Sequence, residues 1–280
     1  MRYLLLCVAL LASFAQAQVG SNEFHDIVYT QVGGVPRLLD LYKPPIQTFQ
    51  LQPAIVFVHG GGWAGGDKSD FADWGRYYAN LGYVCISINY RLIPQYSWPA
   101  QIDDTQAAVR WLRRQAPALS VDPNRIGTVG ASAGGHLVLF LGETDTLNDI
   151  DPLLHGYSSR VQAVVDYYGP TDFSNGAEWD PSIWSLIQYL VGVTGQKRTF
   201  QTASPIQYVT PDDAPTLIFH GDADPIVPVA QSRRIVARMK TAGVQVSYYE
   251  FPGEGHGFGG AAGTQSINLL TAFFQAKLGP

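Results

Sequence analysis

Cysteine is nearly absent from this sequence: it occurs only at Cys7 and Cys85. There is no CxxC pair and no HExxH helix, and Asp222-Ala-Asp224 lacks the remaining ligands of a calcium loop. No metal and no cofactor is therefore expected. Charge is also sparse, at 15% of residues against 46% apolar, with a formal net charge of -5 and no basic run. That balance suits a folded globular chain better than a disordered one, and it makes nucleic acid and anionic membrane poor partners.

Long hydrophobic runs are missing as well. A membrane-spanning helix needs about 20 consecutive apolar residues. The longest candidate, residues 3–14, falls short of that and sits between Arg2 and Ala15-Gln16-Ala17. Positive residue, short apolar run and A-x-A site together read as a cleaved secretory signal over residues 1–17. Cys7 comes too early, and follows Leu6, for a lipoprotein signal. Residues 18–280 are then expected as one globular domain, secreted or periplasmic. Removal of Cys7 leaves Cys85 without an intramolecular partner. Its apolar neighbours in Tyr83-Val84-Cys85-Ile86 make it a small core residue.

Apolar runs alternate with helical patterns along the rest of the chain. Strands are expected at 26–30, 38–42, 54–58, 84–88, 125–129, 161–166, 215–219 and 246–251. Helices are expected at 70–80, 102–115, 134–142, 230–241 and 264–278. This alternation predicts an α/β class with a mostly parallel eight-stranded sheet and helices on both faces. Residues 171–213 break the rhythm. They read as an irregular lid or cap insertion carrying Trp179, Trp184, Tyr189 and Tyr208.

Two glycine-rich stretches carry the chemistry. The first, His59-Gly60-Gly61-Gly62-Trp63-Ala64-Gly65-Gly66-Asp67-Lys68-Ser69, follows the strand at 54–58. Its end resembles a phosphate-binding P-loop, but that motif requires glycine before the lysine, and Asp67 would repel a phosphate. The second contains Gly130-Ala131-Ser132-Ala133-Gly134 between a strand and a helix pattern. Strand, tight turn and helix form the context of a nucleophile elbow, whose small flanking residues let a strained serine project its hydroxyl. A dinucleotide-binding G-x-G-x-x-G would need glycine where Ser132 stands.

A serine hydroxyl needs a base, and the base an orienting carboxylate, in the chain order serine, acid, histidine. His136 lies within the helix that the elbow opens, and reads as a packing or polar supporting residue. His220 ends a buried strand, and His155 has no such setting. His256 sits on the glycine-rich loop Gly253-Glu254-Gly255-His256-Gly257 between the last strand and the last helix, and is the expected base. For the acid, Asp222 and Asp224 both emerge after the strand at 215–219, and position alone does not separate them; Asp172 is a distant third. A developing oxyanion needs backbone N–H donors already in place. Ala133 supplies one, and the Gly60-Gly61-Gly62 loop supplies others, glycine being needed so that the substrate carbonyl can approach.

These motifs together resemble the α/β-hydrolase superfamily, within it the acetyl esterase/lipase group, and most closely the bifunctional feruloyl and acetyl-xylan esterase (BD-FAE-like) enzymes. The landmarks are HGGGW at 59–63, GDKS at 66–69, NYRL at 89–92, PAQIDD at 99–104, GASAGGHL at 130–137, YYGPTDF at 167–173, HGDADPIVP at 220–228 and GEGHGF at 253–258. The resemblance implies Asp224 as the acid and Gly61, Gly62 and Ala133 as the oxyanion hole. It implies a secreted serine carboxylesterase acting on short-chain acyl or feruloyl esters of small molecules or hemicellulose-derived oligosaccharides. Trp63, Tyr168, Trp179 and Trp184 are the candidate pocket residues. An aryl-formamidase or peptidase-like amide hydrolase is the alternative on the same triad. A catalytically inactive binding module is disfavoured, because Ser132, Asp224 and His256 are all present.

Overall fold

The computed structural model describes residues 22–46, 50–192 and 196–279. The signal segment expected at 1–17 lies outside the described residues. Eight strands form one sheet: β1 (Asn22–Val32), β2 (Val35–Lys43), β3 (Gln52–Val58), β4 (Val84–Ile88), β5 (Val121–Ala131), β6 (Ala163–Tyr167), β7 (Thr216–Gly221) and β8 (Val246–Phe251), in the spatial order β1-β2-β4-β3-β5-β6-β7-β8. The β1–β2 hairpin joins antiparallel, and β4 through β8 run parallel. This is the α/β-hydrolase arrangement, with an expected strand at every observed one.

Burial explains the order. Every residue of β3, β4, β6 and β7 is buried, as required of parallel strands covered on both faces. The pleat sends alternate side chains to opposite sides. Ala54, Val56 and Val58 join one apolar cluster with Val109, Leu112 and Leu137, whereas Ile55 and Phe57 join another with Trp74, Tyr78 and Phe274. The first cluster packs under α2 (Ala100–Leu119) and α3 (Ala133–Glu143), the second under α1 (Ala72–Asn80). At the edges the pattern relaxes: β8 alternates between half-buried and exposed up to Phe251, which is buried.

The segment 171–213 differs from its sequence reading. It is not irregular throughout, but holds α4 (Pro181–Val191) and α5 (Lys197–Thr202). Asp180 caps α4 by accepting from the Ser182 N–H, and Pro181 occupies the first helical position, where its missing N–H does no harm. Ile187 and Leu190 of α4 are buried in the first cluster. Two further helices, α6 (Ala230–Ala242) and α7 (Gly260–Lys277), follow β7 and β8; Ile267, Leu270 and Phe274 of α7 complete the second cluster. Among the described residues no helix is long and apolar enough to cross a membrane.

Parallel strands deliver their following loops to one edge. The loop after β3, the turn after β5, the loop after β7 and the loop after β8 therefore converge at the carboxyl ends of the strands. In open α/β sheets that edge is where ligands bind.

Candidate active site

Ser132 stands between β5 and α3 with φ 57° and ψ -120°, a region that residues with side chains avoid unless the surroundings hold them there. Two hydrogen bonds do so: the Ser132 N–H donates to the Tyr167 carbonyl at 2.8 Å, and the His136 N–H donates to the Ser132 carbonyl at 3.0 Å. The flanking glycines follow from space. A Cβ on Gly130 would lie 2.3 Å from the Gly134 carbonyl oxygen, and one on Gly134 would lie 2.0 Å from that of Val58.

His256 reaches this serine from the loop after β8. Its Nε2 lies 2.9 Å from Ser132 Oγ, and its Nδ1 lies 2.7 Å from Asp224 Oδ2. The Tyr168 ring, at 4.5 Å between centroids, packs against the imidazole. Asp224 is fixed from its other side: Ile226 and Val227 N–H groups donate to Oδ1 at 2.8 and 2.9 Å. Burial pushes its carboxyl up, but His220, His256 and the Val227 amide outweigh that and hold it well below the usual carboxylate range. His220 Nε2 lies 3.3 Å from Asp224 Oδ2 but 2.9 Å from the Val227 carbonyl, so its proton is directed chiefly at the carbonyl. Asp222 is exposed and accepts from the Gly253 N–H at 2.6 Å, bracing the histidine loop instead of the histidine. Asp172 serves α6, 3.5 Å from Arg234 Nε.

The glycine loop is aimed by its carbonyls. The Gly60 carbonyl accepts from Tyr90 Oη at 3.2 Å and lies 2.8 Å from His59 Nδ1. In a trans peptide the N–H points opposite the C=O, so the Gly61 N–H points away from those groups. The Gly61 carbonyl accepts from Ala64 and Gly65 N–H groups at 3.0 and 3.1 Å, which turns the Gly62 N–H outward in the same way. This needs φ values of 97° at Gly61 and 59° at Gly62, and a Cβ on Gly61 would lie 2.3 Å from the Gly65 carbonyl oxygen. The loop borders the elbow: a Cβ on Gly60 would sit 3.4 Å from Ser132 Cβ. Ala133 opens α3, where the first N–H groups have no intrahelical acceptor. The arrangement sets a hydroxyl, a base and unclaimed donors around one point.

The far end of the loop is a brace. Lys68 Nζ lies 3.0 Å from Asp26 and 2.9 Å from Asp40, while its N–H donates to Asn89 Oδ1 at 2.6 Å. The lysine that resembled a P-loop is thus neutralised by two carboxylates.

The four candidate pocket aromatics sit in different surroundings. Trp63 and Trp179 are buried in the first apolar cluster, with Trp63 edge-on to His136 and Phe173. Both residues are almost fully buried, at 2% and 5% exposure. Trp184 stacks on Phe200 at 5.2 Å, and Tyr168 is engaged with His256 and Phe258. A residue not singled out from sequence is Leu186 of α4, whose Cδ1 would lie 3.1 Å from a Cβ on Gly62. Its signal was the Asp180-Pro181 helix start, which places it on α4. Among the described residues no group of three or more His, Cys, Asp or Glu side chains could hold a metal ion.

Comparison with known proteins finds relatives named as esterases. The chain is 36% identical over 236 residues to esterase LipC of Mycobacterium tuberculosis, covering 79% of this chain and 57% of that protein. It is 32% identical over 246 residues to esterase LipQ of the same organism, covering 86% and 58%. It thus spans little more than half the length of these relatives. Among solved structures, a truncated form of a carbohydrate esterase from gut microbiota superposes with a TM-score of 0.81 at 31% identity, over 91% of this chain and 96% of that one. The propionate-bound thermophilic esterase Est2 of Thermogutta terrifontis superposes with a TM-score of 0.78 at 28% identity, over 92% and 94%. The BD-FAE family model matches residues 39–239, a span running from the β2 strand through the serine elbow and Asp224 into α6, and on that match the chain belongs to the BD-FAE family.

Proposed function

We propose that the protein is a serine carboxylic-ester hydrolase working through an acyl-enzyme. The observation that carries this is the continuous relay from Ser132 Oγ through His256 to Asp224, at 2.9 and 2.7 Å, set beside the glycine loop. Ser132 attacks the ester carbonyl and passes its proton to His256 Nε2. Asp224, ionised, faces the resulting imidazolium and keeps its Nδ1–H in place. The Gly61, Gly62 and Ala133 N–H groups receive the oxyanion. His256 returns the proton to the departing alcohol, and water repeats the sequence on the acyl-enzyme to release the acid.

The proposed substrates are short-chain acyl or feruloyl esters, including esters on hemicellulose-derived sugars. Support comes from the family, from the resemblance to a structure named a carbohydrate esterase, and from the propionate bound in another neighbour. The N-terminal signal pattern supports a secreted or periplasmic protein.

The test is acetate release from acetylated xylo-oligosaccharides, normalised to p-nitrophenyl acetate hydrolysis, with Ser132→Ala as the blank. Release at comparable efficiency with a silent mutant supports the whole reading. Cleavage of the activated ester alone removes the carbohydrate part. Undiminished activity in Ser132→Ala removes the nucleophile. A matched p-nitroanilide tests the amide-hydrolase alternative: anilide turnover that is lost in Ser132→Ala supports that alternative, and absence of anilide turnover by an enzyme that cleaves the ester removes it.

A further inference from the structure

His136 lies four residues after Ser132, in the first turns of α3, and its imidazole is fully buried. Its two nitrogens meet partners of opposite kind. The Trp63 indole Nε1 lies 3.3 Å from Nδ1. An indole N–H only donates, so Nδ1 accepts. The Ala203 carbonyl oxygen lies 2.7 Å from Nε2. A carbonyl only accepts, so Nε2 carries the proton. The partners therefore fix one neutral tautomer. Burial acts in the same direction, pushing the imidazole down to about 4 against a smaller opposing effect of the Ala203 carbonyl.

Trp63 is the residue directly after Gly61 and Gly62, and its backbone has φ 58°. That left-handed conformation is unfavourable for a bulky side chain and persists only where the surroundings hold it. Here the Trp63 carbonyl accepts from the Ile93 N–H at 2.9 Å, and the indole is anchored on His136. Trp98, Phe140 and Phe173 pack around the same imidazole. One ring thus joins three parts: the helix that opens with Ala133, the loop that carries the Gly61 and Gly62 N–H groups, and the end of α5 in the segment 171–213.

We propose that His136 is a positioning residue for the oxyanion hole: through Trp63 it sets where the Gly61 and Gly62 amides stand relative to Ser132, and through Ala203 it ties that setting to the 171–213 segment. The proposal rests on the serine-hydrolase reading. His136 touches neither substrate nor reacting atoms, so its contribution appears in how well the donors meet the transition state, not in ground-state binding. Misplacing such a group by about 1 Å costs on the order of 100-fold in rate.

The test compares His136→Phe, His136→Gln and Trp63→Phe on p-nitrophenyl acetate, with active sites counted by stoichiometric phosphonate labelling so that unfolded protein does not enter kcat. His136→Phe keeps a ring and loses both hydrogen bonds, and should lose roughly 10- to 100-fold in kcat with KM within about threefold. Gln offers an acceptor to Trp63 and a donor to Ala203, and should recover most of the loss. Trp63→Phe should match His136→Phe, and the double variant should be no worse than either. Full kcat per labelled site in His136→Phe, or a raised KM at unchanged kcat, overturns the proposal. If His136→Phe yields no labelled sites, Trp63→Phe decides alone, and unimpaired kcat there overturns it equally. Failure of the parent protein to label at Ser132 would instead bring down the hydrolase reading, and this inference with it.

Discussion

Replacing Asp224 with asparagine keeps the shape of the side chain and changes only its hydrogen-bond polarity, so the outcome can be worked out from the partners. Oδ1 accepts from the Ile226 and Val227 N–H groups, and Oδ2 faces His256 Nδ1 at 2.7 Å. Asparagine has one acceptor end and one donor end. If its oxygen stays on the two amides, its NH2 faces His256 Nδ1, which must then accept. The imidazole proton moves to Nε2, opposite Ser132 Oγ, and the base can no longer take the serine proton. If the amide flips, the correct tautomer survives, but the NH2 confronts two N–H donors. Leaving these two partly buried hydrogen bonds unmade costs roughly 1–3 kcal/mol each. The active arrangement is then disfavoured by about 2–6 kcal/mol, which is about thirtyfold to twenty-five-thousandfold in kcat. Loss of the carboxylate charge opposite the imidazolium acts in the same direction. The assay is kcat for p-nitrophenyl acetate per labelled active site, with a thermal melt to confirm folding. Asp222→Asn is the control: that side chain is exposed and accepts from the Gly253 N–H, and its activity should stay within about threefold of the parent. A folded Asp224→Asn variant that lost less than tenfold would refute the tautomer argument. An equal loss in Asp222→Asn would transfer the role to the neighbouring carboxylate.

Leu186→Ala removes the side chain that abuts Gly62 from α4, and should raise kcat/KM for p-nitrophenyl butyrate relative to acetate by about tenfold, the discrimination expected of a few methylenes in an apolar wall; an unchanged ratio would place Leu186 outside the acyl site. Asp166 is raised from 3.8 to about 7 by burial, against the opposing effects of the Gly169 amide and His220. Its folded form therefore holds a proton that the unfolded chain releases, and stability falls as pH rises from 3.8 to about 7, by up to about 4 kcal/mol, then levels. Asp166→Asn keeps an acceptor for the Gly169 N–H and should flatten the melting temperature across that window; an unaltered slope would refute the assignment of the proton to Asp166.

What the sequence discloses and what it withholds divides along a physical line. Strands were legible because β3, β4, β6 and β7 are buried on both faces and read as largely apolar runs, with Ser87, Asp166 and His220 among the buried polar exceptions. The elbow was legible because its chemistry is local: Gly130 and Gly134 are forced by atoms within one turn or in the adjoining strand. The acid was not, since Asp222 and Asp224 leave the same strand and only the path of the turn sends one to Gly253 and the other to His256. Helix α4 was missed because its Trp184 and Tyr189 drew the segment toward an aromatic loop, although Asp180-Pro181 marks a helix start. Trp63 and Trp179 show the same limit from the other side. An aromatic residue in a loop looks identical in sequence whether it faces a ligand or the core, and only burial separates the two. His136 stands furthest beyond local reading. Its partners Trp63 and Ala203 lie 73 and 67 residues away in opposite directions along the chain, so nothing near it in sequence distinguishes a packing histidine from one that joins the glycine loop to the 171–213 segment. Where a turn dictates a residue, neighbours in sequence announce it; where a residue joins elements, its role exists only once the sheet has brought them together.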